Sequence, residues 1–302
     1  MSSAALTVGK HSLVYIVLIN WNGFEDTLDC LTSFRTLTYP NYRIVIVDNA
    51  SAGNDADKFA ARFPDIDLIR LDSNLGYAGG NNAGIRHALN QGVDAVWLLN
   101  NDTVVEPETL DSLVHELYAD DRVGCTGSKI YYFDRPDTLW FAGGFVDRTK
   151  GLAGHIGQDE RDVGQHDVMK DVDYITGCSL LVKREIFETV GLLDEDYFLL
   201  FEDTDFCSRV QKAGYSSRYV PGSRLWHKVS RSIGRDSCRY EYYIYRNSLM
   251  FVKKLGRSTT TALVERGRLL ARGLVHDRSV ALALYRMKGI LHYLLKIRGA
   301  LL

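Results

Sequence analysis

Three apolar runs that each end in an amide or a carboxylate constrain this chain more than any other feature. Val14–Ile19 ends at Asn20, Tyr42–Val47 at Asp48, and Ala95–Leu99 at Asn100-Asn101-Asp102-Thr103. Short apolar runs rich in β-branched and aromatic residues read as buried strands. Helical stretches separate them. Glu25–Leu37 carries apolar positions at helical spacing, a short helix covers about 54–62, and another strand follows Pro64 near Ile66–Leu71. Strands alternating with helices through short polar connections predict an α/β fold, a mostly parallel central sheet flanked by helices. Ligands of such sheets meet the carboxyl ends of the strands. Asn20, Asp48 and Asp102 are therefore expected to converge on one crevice. Taken alone, Asn101-Asp102 is equally an ordinary polar turn.

A second feature lies between these strands. Asn74-Leu75-Gly76-Tyr77-Ala78-Gly79-Gly80-Asn81-Asn82-Ala83-Gly84 opens a helix that runs to about Asn90. Its glycines allow close backbone approach, and a helix N-terminus suits a phosphate. The stretch matches neither the P-loop nor the dinucleotide-binding glycine spacing. Past Asp102, a helix is expected over roughly 107–118 and a strand over 122–130. Gly177–Val182 should form a turn and strand, and Arg184–Val190 a short helix. A further helix should begin near Asp203 and end at Gly214. Ser216–Val220 reads as a strand leading to Trp226-His227, and Tyr240–Lys254 as an aromatic helix.

A chain of 302 residues accommodates one large α/β domain with an appendage, or two small domains. Its 46% hydrophobic and 25% charged content exclude a disordered or fibrous class. The five cysteines are scattered with no C-x-x-C pair, which argues against a zinc site or a disulfide framework and fits a reducing cytoplasm. No signal-peptide pattern opens the chain, and no apolar run reaches the ~18 residues of a membrane span. The formal charge of -2 is unevenly placed. From Lys253 onward, 11 Lys and Arg face only Glu265 and Asp277, a balance of +9. Such a basic tail suits an anionic surface.

The assembled motifs resemble the family 2 glycosyltransferases of the GT-A fold, especially rhamnosyltransferase-like members. The likeness runs from about Val14 to Lys254. It rests on Asn20-Trp21-Asn22, Val47-Asp48-Asn49-Ala50-Ser51, the Asn74–Gly84 loop and Leu99-Asn100-Asn101-Asp102. It continues through Gly177-Cys178-Ser179, Phe201-Glu202-Asp203-Thr204-Asp205, Trp226-His227 and the Tyr245-Arg246-Asn247 helix. The family moves a sugar from a nucleotide diphosphate to an acceptor hydroxyl with inversion. The resemblance thus implies a GT-A domain over 1–254 and a helical C-terminal extension over 255–302.

It also implies roles. Asp48 would accept the N3–H of uracil or thymine, with Asn20, Asn74, Gly76, Asn82 and Asn100 completing a nucleotide-sugar site for a UDP- or dTDP-sugar. Asp102 corresponds to the last carboxylate of the family's D-x-D motif, which binds a divalent ion, Mg²⁺ or Mn²⁺; Asn100 stands at its first position. His227 corresponds to a histidine that can join the metal, although a histidine after Trp226 also suits a core. Asp203 corresponds to the catalytic base, or else it is a helix cap among solvated acids. Glu202 and Asp205 would orient the acceptor or hold nearby basic side chains. Arg246 reads as a surface arginine, with contact to the diphosphate as the alternative.

The acceptor class implied is a saccharide or lipid-linked saccharide in cell-envelope glycan synthesis, and no nucleic-acid partner is expected. In the tail, Ala283, Leu284, Met287, Ile290, Leu291, Leu294, Leu295, Ile297, Leu301 and Leu302 share one side of a helical wheel. Arg286, Lys288, His292 and Lys296 lie outside it. A basic amphipathic helix suits peripheral contact with an anionic membrane, on its cytoplasmic face. Packing on its own domain, or on a second subunit of a homo-oligomer, is the other reading. Two rivals to transfer remain at this point: a sugar-nucleotide nucleotidyltransferase, which would need no base at Asp203, and a catalytically silent nucleotide-sugar-binding subunit.

Overall fold

The structure is a computed structural model and describes residues 12–229, 237–276 and 279–301. Its first half alternates as the strand endings predict. The strands are β1 (Val14–Asn20), β2 (Tyr42–Asp48), β3 (Asp67–Arg70) and β4 (Ala95–Asn100). Between them run α1 (Phe24–Ser33), α2 (Asp55–Arg62) and α3 (Gly76–Asn90). All pairings among these four strands are parallel, in the order β3-β2-β1-β4. Val14 to Leu18, Val45 to Val47 and Ala95 to Leu98 are fully buried. Removing each such side chain from water contributes roughly 1.5–3 kcal/mol. Helix α3 lies flush on this sheet. A Cβ at Gly84 would stand 2.4 Å from Val17 Cγ1, so only glycine permits that approach.

The second half changes direction. Short β5 (Thr103–Val105) and α4 (Thr109–Ala119) lead to β6 (Val123–Tyr132). Of the small strands that follow, β7 (Leu139–Phe141) and β10 (Lys170–Asp171) pair with β6 and the last strand of the main sheet, while β8 (Gly144–Asp147) and β9 (Leu152–His155) form a separate antiparallel pair. Strand β11 (Ser179–Lys183) then inserts antiparallel between β4 and β6. The sheet is therefore mixed beyond β4. Helices α5 (Arg184–Val190) and α6 (Glu202–Lys212) precede β12 (Ser216–His227), which runs parallel to β6. The expected strand at Ser216–Val220 continues to His227, because Pro221–Ser223 forms a bulge between two paired segments rather than a stop.

Helices α7 (Cys238–Lys254), α8 (Thr260–His276) and α9 (Val280–Leu294) complete the chain. Ser237 caps α7 by accepting from the Tyr240 N–H at 3.2 Å. Ala262 of α8 and Tyr293 of α9 join the same core as the sheet. The expected boundary at 254/255 falls in the turn between α7 and α8.

Helix α9 corrects the wheel drawn from sequence. Its inner face carries Ala283, Arg286 and Tyr293, all buried. Arg286 is drawn inward by a two-pronged pair with Glu241, at 2.7 and 3.0 Å, a geometry that lets a guanidinium leave water. His292 bonds the Tyr242 hydroxyl at 2.9 Å. Val280, Leu284, Met287, Leu291, Leu294 and Leu295 are instead more than half exposed. Among the described residues, no helix is long and apolar enough to cross a membrane.

Candidate active site

The strand ends meet as expected. Asn20 and Asp48 are register partners on β1 and β2, and Ile19 is the partner of Asn100 on β4. Asn20 Nδ2 donates to Asp48 Oδ1 at 3.0 Å and to Asp55 Oδ2 at 3.1 Å. Asn20 Oδ1 accepts from the Thr27 hydroxyl at 3.2 Å, which in turn accepts from Asn101 Nδ2 at 2.7 Å. One hydrogen-bonded chain thus ties all three loops at this edge. The Ser51 hydroxyl also donates to Asp48 Oδ1, at 2.6 Å, while Oδ2 carries only a long 3.3 Å bond from the Ser51 N–H. A carboxylate offers about four acceptor positions, so Asp48 retains capacity for a ligand. A depression of about 300 Å³ between loops 22–26 and 53–58 shares Asp55 with this network, but Asp102, Asp203 and His227 do not line it.

The glycine loop is held from the same edge. Asn49, buried beside Asp48, donates to Asn74 Oδ1 at 3.1 Å and to the Gly76 carbonyl at 3.0 Å, and accepts from the Leu75 N–H at 2.9 Å. Gly76 has φ +73°, and a Cβ there would stand 2.3 Å from the Phe198 carbonyl oxygen. Asn82 departs from expectation. Its amide donates to Leu193 O and Glu195 Oε1 and accepts from the Leu193 N–H, at 2.9, 2.8 and 3.0 Å. It faces the 193–195 segment with every polar atom engaged, because helical periodicity turns it away from the loop's open side.

Asp102 and His227 meet through the β5–β12 pairing, which sets His227 opposite Thr103. The Lys228 N–H donates to the Asp102 carbonyl at 2.9 Å, and Lys228 Nζ reaches Asp26 and Asp29 on α1. His227 Nε2 lies 3.1 Å from Asp102 Oδ1, with both side chains only 7% exposed. The Asn100 amide is 3.4 Å from the same nitrogen. Burial alone would lower the His227 pKa, but Asp102 and Cys178 hold it well above its usual value.

Asp203 opens α6. Its Oδ2 accepts from the Gly177 N–H at 2.9 Å, and its Oδ1 from the Thr204 N–H at 2.6 Å and the Thr204 hydroxyl at 3.1 Å. Residues 177–178 bridge the two halves, since Cys178 O accepts from the Asn100 N–H at 3.0 Å. Tyr77 of α3 fastens this bridge by donating to the Gly177 carbonyl at 2.6 Å.

Residues 15–191 match the model of the family described as Glycosyl transferase family 2. The chain belongs to that family. It is 26% identical over 252 residues to the dTDP-rhamnosyl transferase RfbF of Shigella flexneri, covering 81% of each chain. It is 26% identical over 248 residues to an N-acetylglucosaminyl-diphospho-decaprenol L-rhamnosyltransferase of Mycobacterium tuberculosis, covering 74% of this chain and 78% of that one. An uncharacterized protein of Sinorhizobium fredii, y4gI, is 30% identical over 231 residues; the match covers 73% of this chain and 24% of that protein's length. In three dimensions the chain is similar to a mannosyltransferase from Pyrobaculum calidifontis solved with GDP-Man and Mn²⁺. The TM-score is 0.60 at 16% identity, over 95% of this chain and 88% of that one. The GT-A-like fold expected from the motifs is thus present.

In this family 2 glycosyltransferase the three acids of α6 are not equivalent. Asp205 is buried and committed to Arg209 Nε at 2.8 Å and to the Tyr197 hydroxyl at 3.3 Å, so it holds a basic side chain as one of its two readings allows. Glu202 is 4% exposed, and its Oε2 has no hydrogen-bond partner. Asp203 alone of the three is only partly buried. Burial raises both pKa values, and for Glu202 the neighbouring Asp203 charge adds to it. Asp203 accepts three hydrogen bonds from Gly177 and Thr204, whereas the Glu202 carboxyl gains only one from its own backbone N–H and keeps Oε2 unpartnered. Hydrogen bonding therefore favours the negative charge on Asp203 and the proton on Glu202.

Sequence reasoning did not single out Asn49, Ser51 or Tyr77. The signal was available: each stands within a motif already noted, one to three residues from a chosen position.

A buried carboxyl whose pKa is raised on folding binds its proton more tightly in the folded state. Stability is then lost as pH rises from the unfolded value, ~4.3 for Glu, toward the folded one. Glu202→Gln keeps the shape and cannot ionise. Its Tm relative to the wild type should therefore improve steadily from pH 4 to pH 8, as read by differential scanning calorimetry. A difference that stays constant with pH would show that folding does not shift the Glu202 pKa.

Proposed function

We propose that this enzyme is an inverting, divalent-metal-dependent glycosyltransferase that uses a UDP- or dTDP-sugar. On this reading dTDP-L-rhamnose is the first donor to test, and the acceptor is a hydroxyl of a saccharide, free or lipid-linked, in cell-envelope glycan assembly. The observation that carries the reading is the placement of Asp203. It is a partly exposed carboxylate held by Gly177 and Thr204, and residues 177–178 join it to the Asp102–His227 pair. The names of the Shigella and Mycobacterium relatives favour rhamnose and a polyprenol-linked acceptor.

Asp48 would read the base, with Asn20, Asn74, Gly76 and Asn100 around the ribose and phosphates; Asn82 has no part in this reading. Asp102 and His227 would hold the ion, which would take the place of the proton that His227 Nε2 shares with Asp102 Oδ1 at 3.1 Å. The described residues hold no cluster of three His, Cys, Asp or Glu ligands, so the donor's diphosphate and water would complete the shell, as suits Mg²⁺ or Mn²⁺. When bound, the ion neutralises charge on the leaving diphosphate.

Asp203 takes the proton from the acceptor hydroxyl while that oxygen bonds to the anomeric carbon and the bond to the diphosphate breaks on the opposite face. General-base help of this kind contributes ~10²–10⁴ in rate. Glu202, neutral beside it, leaves the negative charge on Asp203.

Isothermal calorimetry with Mg²⁺ or Mn²⁺ should show tighter binding of UDP or dTDP than of ADP or CDP, because adenine and cytosine lack the N–H that Asp48 would accept. Asp48→Ala should flatten the preference. Equal affinity for all four nucleotides in the wild type would remove Asp48 from the base site.

Asp203→Asn should leave nucleotide binding unchanged while transfer falls by ~10²–10⁴. Near wild-type transfer by Asp203→Asn, with loss in Glu202→Gln, would move the base to Glu202. A wild type that binds nucleotide but neither transfers nor hydrolyses any UDP- or dTDP-sugar would favour a silent binding subunit.

The exposed face of α9 is assigned to an anionic membrane surface. Its six apolar side chains lie in a segment of net charge +9, and Lys288 borders them on the same face. Replacing Leu284, Met287 and Leu291 by Ser should abolish sedimentation with phosphatidylglycerol vesicles at low salt. If the triple variant instead turns an oligomer into monomers and never bound vesicles, the face joins two copies of this chain.

A further inference from the structure

Arg246 was read from sequence as a surface arginine, and the structure corrects this. It is fully buried on α7, and its five hydrogen bonds among the described residues go to neutral oxygens rather than to a carboxylate. Its Nε donates to Asn247 Oδ1 at 2.8 Å. Its Nη1 donates to the Tyr242 hydroxyl at 3.2 Å and to the Gly299 carbonyl at 2.6 Å. Its Nη2 donates to the carbonyls of Asp196 at 3.3 Å and Tyr197 at 3.0 Å. The Tyr242 and Tyr243 rings lie 5.2 and 5.1 Å from its guanidinium carbon. A buried charge needs compensation, and this one finds it in neutral oxygens. Asn247, also fully buried, turns its Nδ2 to the carbonyls of Tyr197, Leu199 and Leu200, at 3.1, 2.8 and 2.8 Å.

All of these carbonyls except that of Gly299 belong to the segment just before Glu202 and Asp203. That segment is strained. Phe198 has φ 63° and ψ -52°, and the Leu199 N–H bonds back to Tyr197 O at 2.7 Å, a γ-turn of the rare hand. Leu200 and Phe201 follow at φ 68° and 75°. A non-glycine backbone holds such angles only where its surroundings dictate them. The Tyr77 N–H bonds the Phe198 carbonyl at 2.7 Å, so the turn also abuts the glycine loop.

We propose that Arg246, Asn247 and the C-terminal segment 298–301 form a clamp that positions Asp203 for transfer. The inference rests on reading Asp203 as the base. Arg246 gathers carbonyls from two sides: those of 196–197 and that of Gly299. The Gly299 N–H returns a bond to Asp196 O at 3.1 Å, and the Leu301 N–H donates to the Tyr243 hydroxyl at 2.8 Å. The end of the described chain thereby closes the back of the turn whose front carries the carboxylate. Arg246 and Asn247 are positioning residues; neither touches the reacting atoms.

Three variants of the full-length protein separate positioning from mere stability. Asn247→Asp keeps the Oδ1 that Arg246 Nε uses, and adds a favourable charge beside the guanidinium, but loses the donors to three carbonyls. Arg246→Lys keeps the charge and loses the planar fork. Deleting 298–302 removes the closing strap and leaves α7 to α9 complete. Each should lower kcat by about 10–100-fold, the cost of misplacing a reacting group by a fraction of an ångström to about 1 Å. The KM for the sugar nucleotide and the affinity for UDP or dTDP should stay at wild-type values. Amide exchange of peptides covering 174–180 and 196–206 should quicken, with exchange in β1 to β4 unchanged.

Wild-type kcat and wild-type exchange at 196–206 in the deletion variant and in either point variant that folds would overturn the clamp. So would a lower Tm with kcat intact. If the wild type transfers no sugar, the reading of Asp203 fails, and exchange at 196–206 still decides whether the clamp holds the turn.

Discussion

Strand β4 is hydrogen-bonded along both edges, parallel to β1 and antiparallel to β11, and the chemistry depends on that double pairing. Leu99 is opposite Leu18 on one side and Ser179 on the other. Between these partners the chain can only emerge at the sheet's edge, where Asn100 and Asp102 stand. A buried polar relay fixes the junction. Fully buried Trp97 donates its indole N–H to Ser179 Oγ at 3.1 Å; that hydroxyl meets Ser128 at 2.7 Å, and Ser128 meets Ser223 at 2.8 Å. Ser223 donates to the Thr109 carbonyl at 2.9 Å. Every member is satisfied, so the relay ties four strands and a helix together without an unpaired polar group, the condition under which buried polar groups specify a single arrangement. It joins the half whose strand ends bear Asn20 and Asp48 to the half that delivers Gly177, Asp203 and His227.

The legible part of the sequence was the part governed by local pattern. Apolar runs of strand length, punctuated by Asn and Asp, gave β1, β2 and β4 within a residue or so, and with them the polar edge where these strands end. The direction of β11 left no such mark, since a buried strand looks the same whether its neighbours run with it or against it. Pro221-Gly222 looked like the end of a strand because either residue normally breaks a ladder. Pairing with β6 on both sides of the bulge carried β12 on to His227.

Side chains whose partners lie far off in sequence were the least legible. Asn82 and Arg246 carry the residue types of a ligand site, yet each spends its hydrogen bonds inside the protein. Arg286 was placed on the polar side of a wheel that took no account of Glu241, 45 residues away. A wheel reports which side chains dislike water. It does not report which charges will find a partner.

The same distinction bears on the site itself. Phe198, Leu200 and Phe201 each hold a backbone angle that costs about 1–3 kcal/mol, and Glu202 is buried with an unpartnered oxygen. These are the features a sequence optimised for stability alone would discard. They occur together, in five consecutive residues that end one position before Asp203. They are opposed there by the densest set of side-chain bonds to backbone carbonyls described above, those of Arg246 and Asn247. Strain placed at random would not be matched by a counterforce so local. On the proposed reading of Asp203 as the base, its carboxylate has to be ionised, partly exposed and held to within a fraction of an ångström, which an unconstrained loop would not provide. The left-handed turn and the buried guanidinium behind it are therefore one structural solution, and the chain's final described residues belong to it.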